Sequence, residues 1–176
     1  LRSLYMNKSI LNTFTLFKNN ILSISDLLDE LITVNKTNKE EIYSLFYYLE
    51  TDESDEAMIV SLLIWCLFDS PFKSCLDSQN SFYRFLLSIN VSSDFYSTNI
   101  TILEKEKTML IIQKGDYLII VNPTDNNIKC VLPTNYQNKT LFCENCNEEI
   151  RVSDFLIVPE NTFYIISKED YMSNDM

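Results

Sequence analysis

The chain has 176 residues, no histidine, a single glycine, and 25 acidic against 14 basic side chains, a formal net charge of −11. Without histidine this chain holds no Ser-His-Asp or Cys-His catalysis, no imidazole acid-base chemistry and no mixed Cys/His zinc site. One glycine builds neither a phosphate loop nor a dinucleotide-binding turn, and an acidic surface without a Lys/Arg cluster repels nucleic acid.

The 46% hydrophobic content is that of a globular core, in one domain or two small ones. The sequence starts at Leu1 with no basic-then-apolar leader, so it is read as a fragment or a processed piece. The longest apolar run, Ala57 to Phe68 interrupted only by Ser61, is 12 residues long. That is too short to span a bilayer, and no membrane span is expected in this chain.

Residues 1–92 are predicted to be a helical segment. Leu27, Leu28, Leu31 and Ile32 recur at helical spacing after Ser25-Asp26, with Ser25 as cap and Asp26 and Asp29 near the positive helix end. Lys39-Glu40-Glu41 opens a second helix whose apolar stripe is Ile42, Leu45, Phe46 and Leu49. The acidic run Glu50 to Glu56 follows, and Ser54-Asp55-Glu56 marks the start of a buried helix through the apolar run. Ser70-Pro71 stops it, because the residue before proline is pushed out of helical geometry. Ser78 or Ser81 caps a last helix carrying Phe82, Phe85, Leu86 and Ile89.

After Ser92 the period changes from helix to strand, and residues 93–170 are predicted to form an antiparallel β-domain, with 171–176 as a tail. Strand runs are read at 99–103, 108–113, 117–121, 128–132, 139–143, 154–158 and 163–167. The only glycine, in Lys114-Gly115-Asp116, marks a tight hairpin. About seven short strands at spacings of roughly 8 to 12 residues read as a sandwich. The fold class is therefore α+β. Met109 to Ile112 and Leu118 to Val121 are apolar on both faces, so some strands should be covered on both sides.

Five cysteines form an odd set. Cys143-Glu-Asn-Cys146 has the spacing of a metal knuckle or a redox pair, but no second ligand pair accompanies it. The favoured reading is a local disulfide, with two ordinary thiols or a metal or redox pair as the other readings. No metal or cofactor is expected. Asn7, Asn35, Asn90, Asn99 and Asn138 each open a glycosylation acceptor pattern. With the cysteine pair, they point to an extracellular or secretory-lumen setting.

The order helix, edge strand, hairpin and further strands carries a family resemblance. Ser81-Phe-Tyr-Arg-Phe-Leu-Leu-Ser-Ile-Asn90, Ile100-Thr-Ile-Leu103, Met109-Leu-Ile-Ile112, Gly115-Asp-Tyr-Leu-Ile-Ile-Val-Asn-Pro123, Val131-Leu-Pro133 and Phe155-Leu-Ile-Val-Pro-Glu-Asn-Thr-Phe-Tyr-Ile165 together resemble the C-terminal end of the alpha-amylase family, glycoside hydrolase family 13. There, a last barrel helix of the "tyrosine-arginine-leucine-leucine" kind feeds an antiparallel β-domain. The resemblance covers about residues 78 to 167 and implies that the helical segment is the remnant end of a β/α barrel.

Extended backwards, the resemblance places Leu45 to Asp52 at the seventh barrel strand and Asp52 at the aspartate of an asparagine-histidine-aspartate triplet. Glu50 and Thr51 depart from that triplet. Phe68 to Cys75 stands where the family has a glycine-bearing loop, and lacks those glycines. Asp52 is thus a remnant catalytic candidate, set against a plain solvated loop. Retaining glycoside cleavage needs two carboxyls about 5 Å apart, one with a raised pKa. The resemblance places the family's nucleophile and acid upstream of this chain. Trp65, Phe46, Tyr47 and Tyr48 suggest sugar stacking, but their helical context favours core packing.

Three functions follow. The first is a non-catalytic, structural portion of an alpha-amylase-family protein, resembling the heavy chains of heteromeric amino-acid transporters, with the upstream barrel or another protein as partner. The second is the C-terminal part of an active alpha-glucosidase or amylase. The third is an unrelated β-sandwich binding module.

Overall fold

The structure is a computed structural model that describes residues 10–67, 80–88, 100–105, 109–142, 150–151 and 154–167. The chain divides into two compact units, residues 1–89 and 90–176. Helices fill the described part of the first and antiparallel strands dominate the second.

The helices of the first unit are α1 (Ile10–Lys18), α2 (Ile24–Thr37), α3 (Lys39–Leu49), α4 (Asp55–Leu67) and α5 (Ser81–Ser88). Helix α1 precedes the predicted ones and buries Ile10, Thr13, Phe14 and Phe17, one stripe at helical spacing. It closes with Ile21 N–H donating to the Leu16 carbonyl and Asn20 N–H to the Phe17 carbonyl. Asn20 sits at a φ of 61°, the left-handed closure that asparagine tolerates. Helix α2 is capped by Ser23, whose hydroxyl accepts from Asp26 N–H at 3.2 Å. Ser25, the predicted cap, lies inside the helix. Several cap-competent residues cluster here, and burial of Ile24 begins the helix two residues earlier.

The predicted stripe of α3, Ile42, Leu45, Phe46 and Leu49, is buried as a set. Helix α4 differs in kind, because Ile59, Val60, Ser61, Leu62, Leu63, Ile64, Trp65 and Cys66 are all buried. A helix apolar around its whole circumference can only be central, and α4 contacts each of the other four helices. Each fully buried branched or aromatic side chain there contributes about 1.5–3 kcal/mol. Its start is as predicted, with the Ser54 hydroxyl accepting from Ala57 N–H at 3.2 Å and Asp55 and Glu56 in the first turn. The predicted stop at Ser70-Pro71 lies outside the described residues.

The second unit contains β1 (Thr101–Lys105), β2 (Leu110–Lys114), β3 (Tyr117–Asn122), β4 (Ile128–Val131), β5 (Thr140–Phe142), β6 (Ile150–Arg151), β7 (Phe155–Val158) and β8 (Thr162–Ser167). Seven are the predicted runs; β6 is additional. One sheet runs β1-β2-β3-β8-β5-β6 and a second pairs β4 with β7, all antiparallel. The connections nest: β5 pairs β6, β4 pairs β7, and β8 returns to lie between β3 and β5. Gly115 has a φ of 56° at the first central position of the β2–β3 hairpin, where a two-residue turn needs positive φ.

Register assigns the faces. Ile111, Ile120 and Tyr164 are cross-strand partners, as are Gln113, Leu118 and Ile166. Met109, Ile111, Leu118, Ile120 and Ile166 form one core with Cys130, Leu132, Tyr136 and Val158 from the β4–β7 side. The opposite face, with Leu110, Ile112, Ile119, Val121 and Ile165, is also buried, as the doubly apolar runs predict.

Candidate functional site

The candidate residue Asp52 follows the turn that ends α3. Leu45 to Leu49 is helical, so the barrel strand that the resemblance places there is absent, and Asp52 lies in a helix-to-helix connection. Lysine, cap and turn bonds converge on this connection. Asp52 Oδ2 accepts from Lys18 Nζ at 2.8 Å, and Oδ1 accepts from Ser54 N–H at 2.9 Å. Thr51 Oγ1 donates to the Tyr48 carbonyl at 2.8 Å. From α5, Asn80 Nδ2 donates to the Glu50 carbonyl at 2.9 Å.

Asn80 also caps α5, its Oδ1 accepting from Phe82 N–H at 2.9 Å and Tyr83 N–H at 3.1 Å. Ser81, one of the two predicted caps, is the first helical residue, and Ser78 lies outside the described residues. Asparagine prevails because its amide caps the helix with one end and holds Glu50 with the other.

These contacts decide the chemistry available to Asp52. Its side chain is 10% exposed, and burial alone would raise its pKa. The Lys18 hydrogen bond and the Ser54 bonds outweigh that and hold the carboxyl below the usual carboxylate value. A general acid needs the opposite shift, and a nucleophile needs an oxygen directed at substrate. Here both oxygens are engaged in tying α1 and the start of α4 to the turn. Lys18 is raised, chiefly by its hydrogen bond to Asp52.

The aromatic set divides. Trp65 and Phe46 are buried, while Tyr47 and Tyr48 are 55% and 45% exposed and do not join the core that their helical context suggests. Register on α3 explains it, since they fall between the buried Phe46 and Leu49. Phe46 stacks on Tyr83 with centroids 4.5 Å apart and planes at 9°. Tyr83 Oη donates to the Phe46 carbonyl at 2.6 Å.

Cys143 and Cys146 lie outside the described residues, as do Asn7, Asn90 and Asn99. Cys66 and Cys130 are both buried, and Cys66 Sγ donates to the Leu62 carbonyl at 3.2 Å. Asn35 is half-buried within α2, and Asn138 is exposed in the turn before β5. Among the described residues, no group of three or more His, Cys, Asp or Glu side chains is placed to hold a metal ion. No helix there is long and apolar enough to cross a membrane.

Two anchors escape the sequence reading. Lys18 is separated from Asp52 by 34 positions, and its signal is the α1 stripe that ends beside it. Asn122 is fully buried at the end of β3. Its Nδ2 lies 2.8, 3.0 and 3.0 Å from the Asn126, Val158 and Pro159 carbonyls. Its Oδ1 accepts from Thr124 N–H at 3.0 Å and Thr124 Oγ1 at 2.7 Å.

No family model matches the sequence, and no curated protein matches it. Among solved structures, the chain is similar to the trehalulose synthase MutB from Pseudomonas mesoacidophila MX-45, with 17% identity, a TM-score of 0.41, and coverage of 52% of this chain and 18% of that one. An inactive double mutant of MutB in complex with isomaltulose gives 16% identity, a TM-score of 0.41, and coverage of 56% and 19%. An alpha-amylase from Malbranchea cinnamomea gives 12% identity, a TM-score of 0.40, and coverage of 52% and 23%. The chain thus spans about a fifth of the length of these proteins. At these scores the likeness assigns neither family nor substrate.

Proposed function

We propose that this chain is a structural, non-catalytic portion of an alpha-amylase-family protein, in which an antiparallel β-domain follows the helical end of a degenerate barrel. The family part of this reading rests on the ordered segments from Ser81 to Ile165. The non-catalytic part rests on one observation: Asp52, the sole remnant candidate, has one oxygen on Lys18 and the other on Ser54 N–H. Its partner is the upstream barrel of the same protein or a second protein, in the manner of transporter heavy chains, in an extracellular or secretory-lumen setting.

The test is hydrolysis. Incubated with maltose or starch, the chain releases no glucose, and Asp52→Asn changes nothing in that assay. Turnover that disappears in Asp52→Asn overturns the reading. Hydrolysis by a longer parent protein, dependent on an upstream carboxylate pair, would instead make the chain the C-terminal part of an active enzyme.

A further inference from the structure

We infer that Asn138, rather than Asn35, is the described acceptor position that carries an N-linked glycan when the chain passes through a secretory lumen. Both open the same sequence pattern, Asn138-Lys-Thr140 and Asn35-Lys-Thr37, so sequence alone does not separate them. Their surroundings do. Asn35 lies in the last turn of α2 (Ile24–Thr37) and is half-buried. Thr37 Oγ1 donates to the Thr33 carbonyl at 3.1 Å, so the hydroxyl of that pattern is turned onto the helix backbone. A bulky, solvated glycan at Asn35 would compete with the packing of α2.

Asn138 is exposed and has a φ of 60°, a left-handed turn conformation available to asparagine at little cost. The turn is held firmly from behind. A short 3-10 helix, Thr134–Tyr136, precedes it, and Tyr136 is buried in the inter-sheet core. Gln137 Nε2 donates to the Leu132 carbonyl at 3.1 Å. Asn138 therefore lies exposed on a turn fixed from behind, where a glycan adds bulk without displacing core side chains.

The chemistry is transfer from a lipid-diphosphate-linked oligosaccharide. The Asn138 Nδ2–C1 bond forms, the bond between C1 and the diphosphate oxygen breaks, the lipid diphosphate leaves with the electron pair, and Nδ2 gives up one proton.

The full chain should be expressed behind a secretion signal in eukaryotic cells and its glycopeptides mapped after peptide:N-glycosidase treatment in heavy-oxygen water. The expected result is label as aspartate at position 138 and none at position 35. Asn138→Gly keeps the left-handed turn and removes the acceptor amide, and Thr140→Ala keeps Asn138 itself. Each should abolish the label at 138 and speed the secreted chain on a gel. Secreted chain with unlabelled Asn138, or with labelled Asn35, overturns the inference. The inference rests on the secretory-lumen setting of the proposed function, but its test involves no hydrolysis, so the two readings can fail separately.

Discussion

Lys18 Nζ stands 2.8 Å from Asp52 Oδ2, joining the last residue of α1 to the turn between α3 and α4. A cation at a helix C-terminus also favours the helix dipole, so Lys18 serves two local structures at once. Removing it should leave the partly buried Asp52 carboxylate with only the Ser54 bonds. Lys18→Met is therefore expected to raise the Asp52 pKa, read by carboxyl-carbon NMR titration. An unchanged titration would detach Asp52 from Lys18.

The pH dependence follows from the same pair. Asp52 is depressed in the fold below its ordinary 3.8, so its contribution to stability is complete above that value. It is lost as pH falls through the depressed folded-state value. Lys18 is raised above 10.5, so its contribution is complete below that value and lost as pH rises through the raised one. Between those limits the pair should leave stability flat with pH, and Lys18→Met should move the acid-unfolding midpoint upward.

Tyr83 binds α5 to α3 twice, through its hydroxyl on the Phe46 carbonyl and its ring on the Phe46 ring. Tyr83→Phe keeps the ring and should cost about 1 kcal/mol. Tyr83→Ala leaves a cavity beside α3 and should cost about 3–5 kcal/mol. Urea unfolding measures both. Equal losses would assign the whole effect to the hydroxyl.

Asn122 satisfies three carbonyls and the Thr124 hydroxyl and N–H from a fully buried position. Asn122→Ala removes these bonds, leaving the buried Val158 carbonyl without its side-chain donor, and is expected to cost at least about 2 kcal/mol. Asn122→Asp should be worse at neutral pH, because a carboxylate would face the carbonyl oxygens. A melting temperature within error of the parent's in either variant would refute this.

Tyr136 predicts the opposite sign. Its hydroxyl is buried, and among the described residues no group meets it in full hydrogen-bonding geometry; burial pushes its pKa up, and only the weak approach of the Gln113 side chain opposes the shift. Tyr136→Phe removes an unsatisfied group and keeps the packing, so it should stabilise the β-domain by about 1 kcal/mol. A loss of stability would mean that the hydroxyl has a partner in solution.

The elements with a clear period were legible from residues alone. The α3 stripe, the all-round apolar α4 and the β2–β3 hairpin at Gly115 follow from spacing and backbone sterics. Caps were legible in kind and misplaced in position: Ser23 and Asn80 act where Ser25, Ser78 and Ser81 compete, and the start of the buried face decides among them. Strand β6, Ile150–Arg151, is too short to have a period. The role of Asp52 was not legible, because it depends on a lysine from another helix. The family pattern suggested a strand for Leu45 to Leu49, where the stripe of Ile42, Leu45, Phe46 and Leu49 enforces a helix.

The central claim is that Asp52 holds helices together and does no chemistry. Its most direct test is to compare the chain with Asp52→Asn for both glucose release from maltose and thermal unfolding. The account predicts no glucose from either protein and a lower melting temperature in the variant at neutral pH. Glucose release by the parent chain, abolished in Asp52→Asn with the melting temperature unchanged, would contradict it.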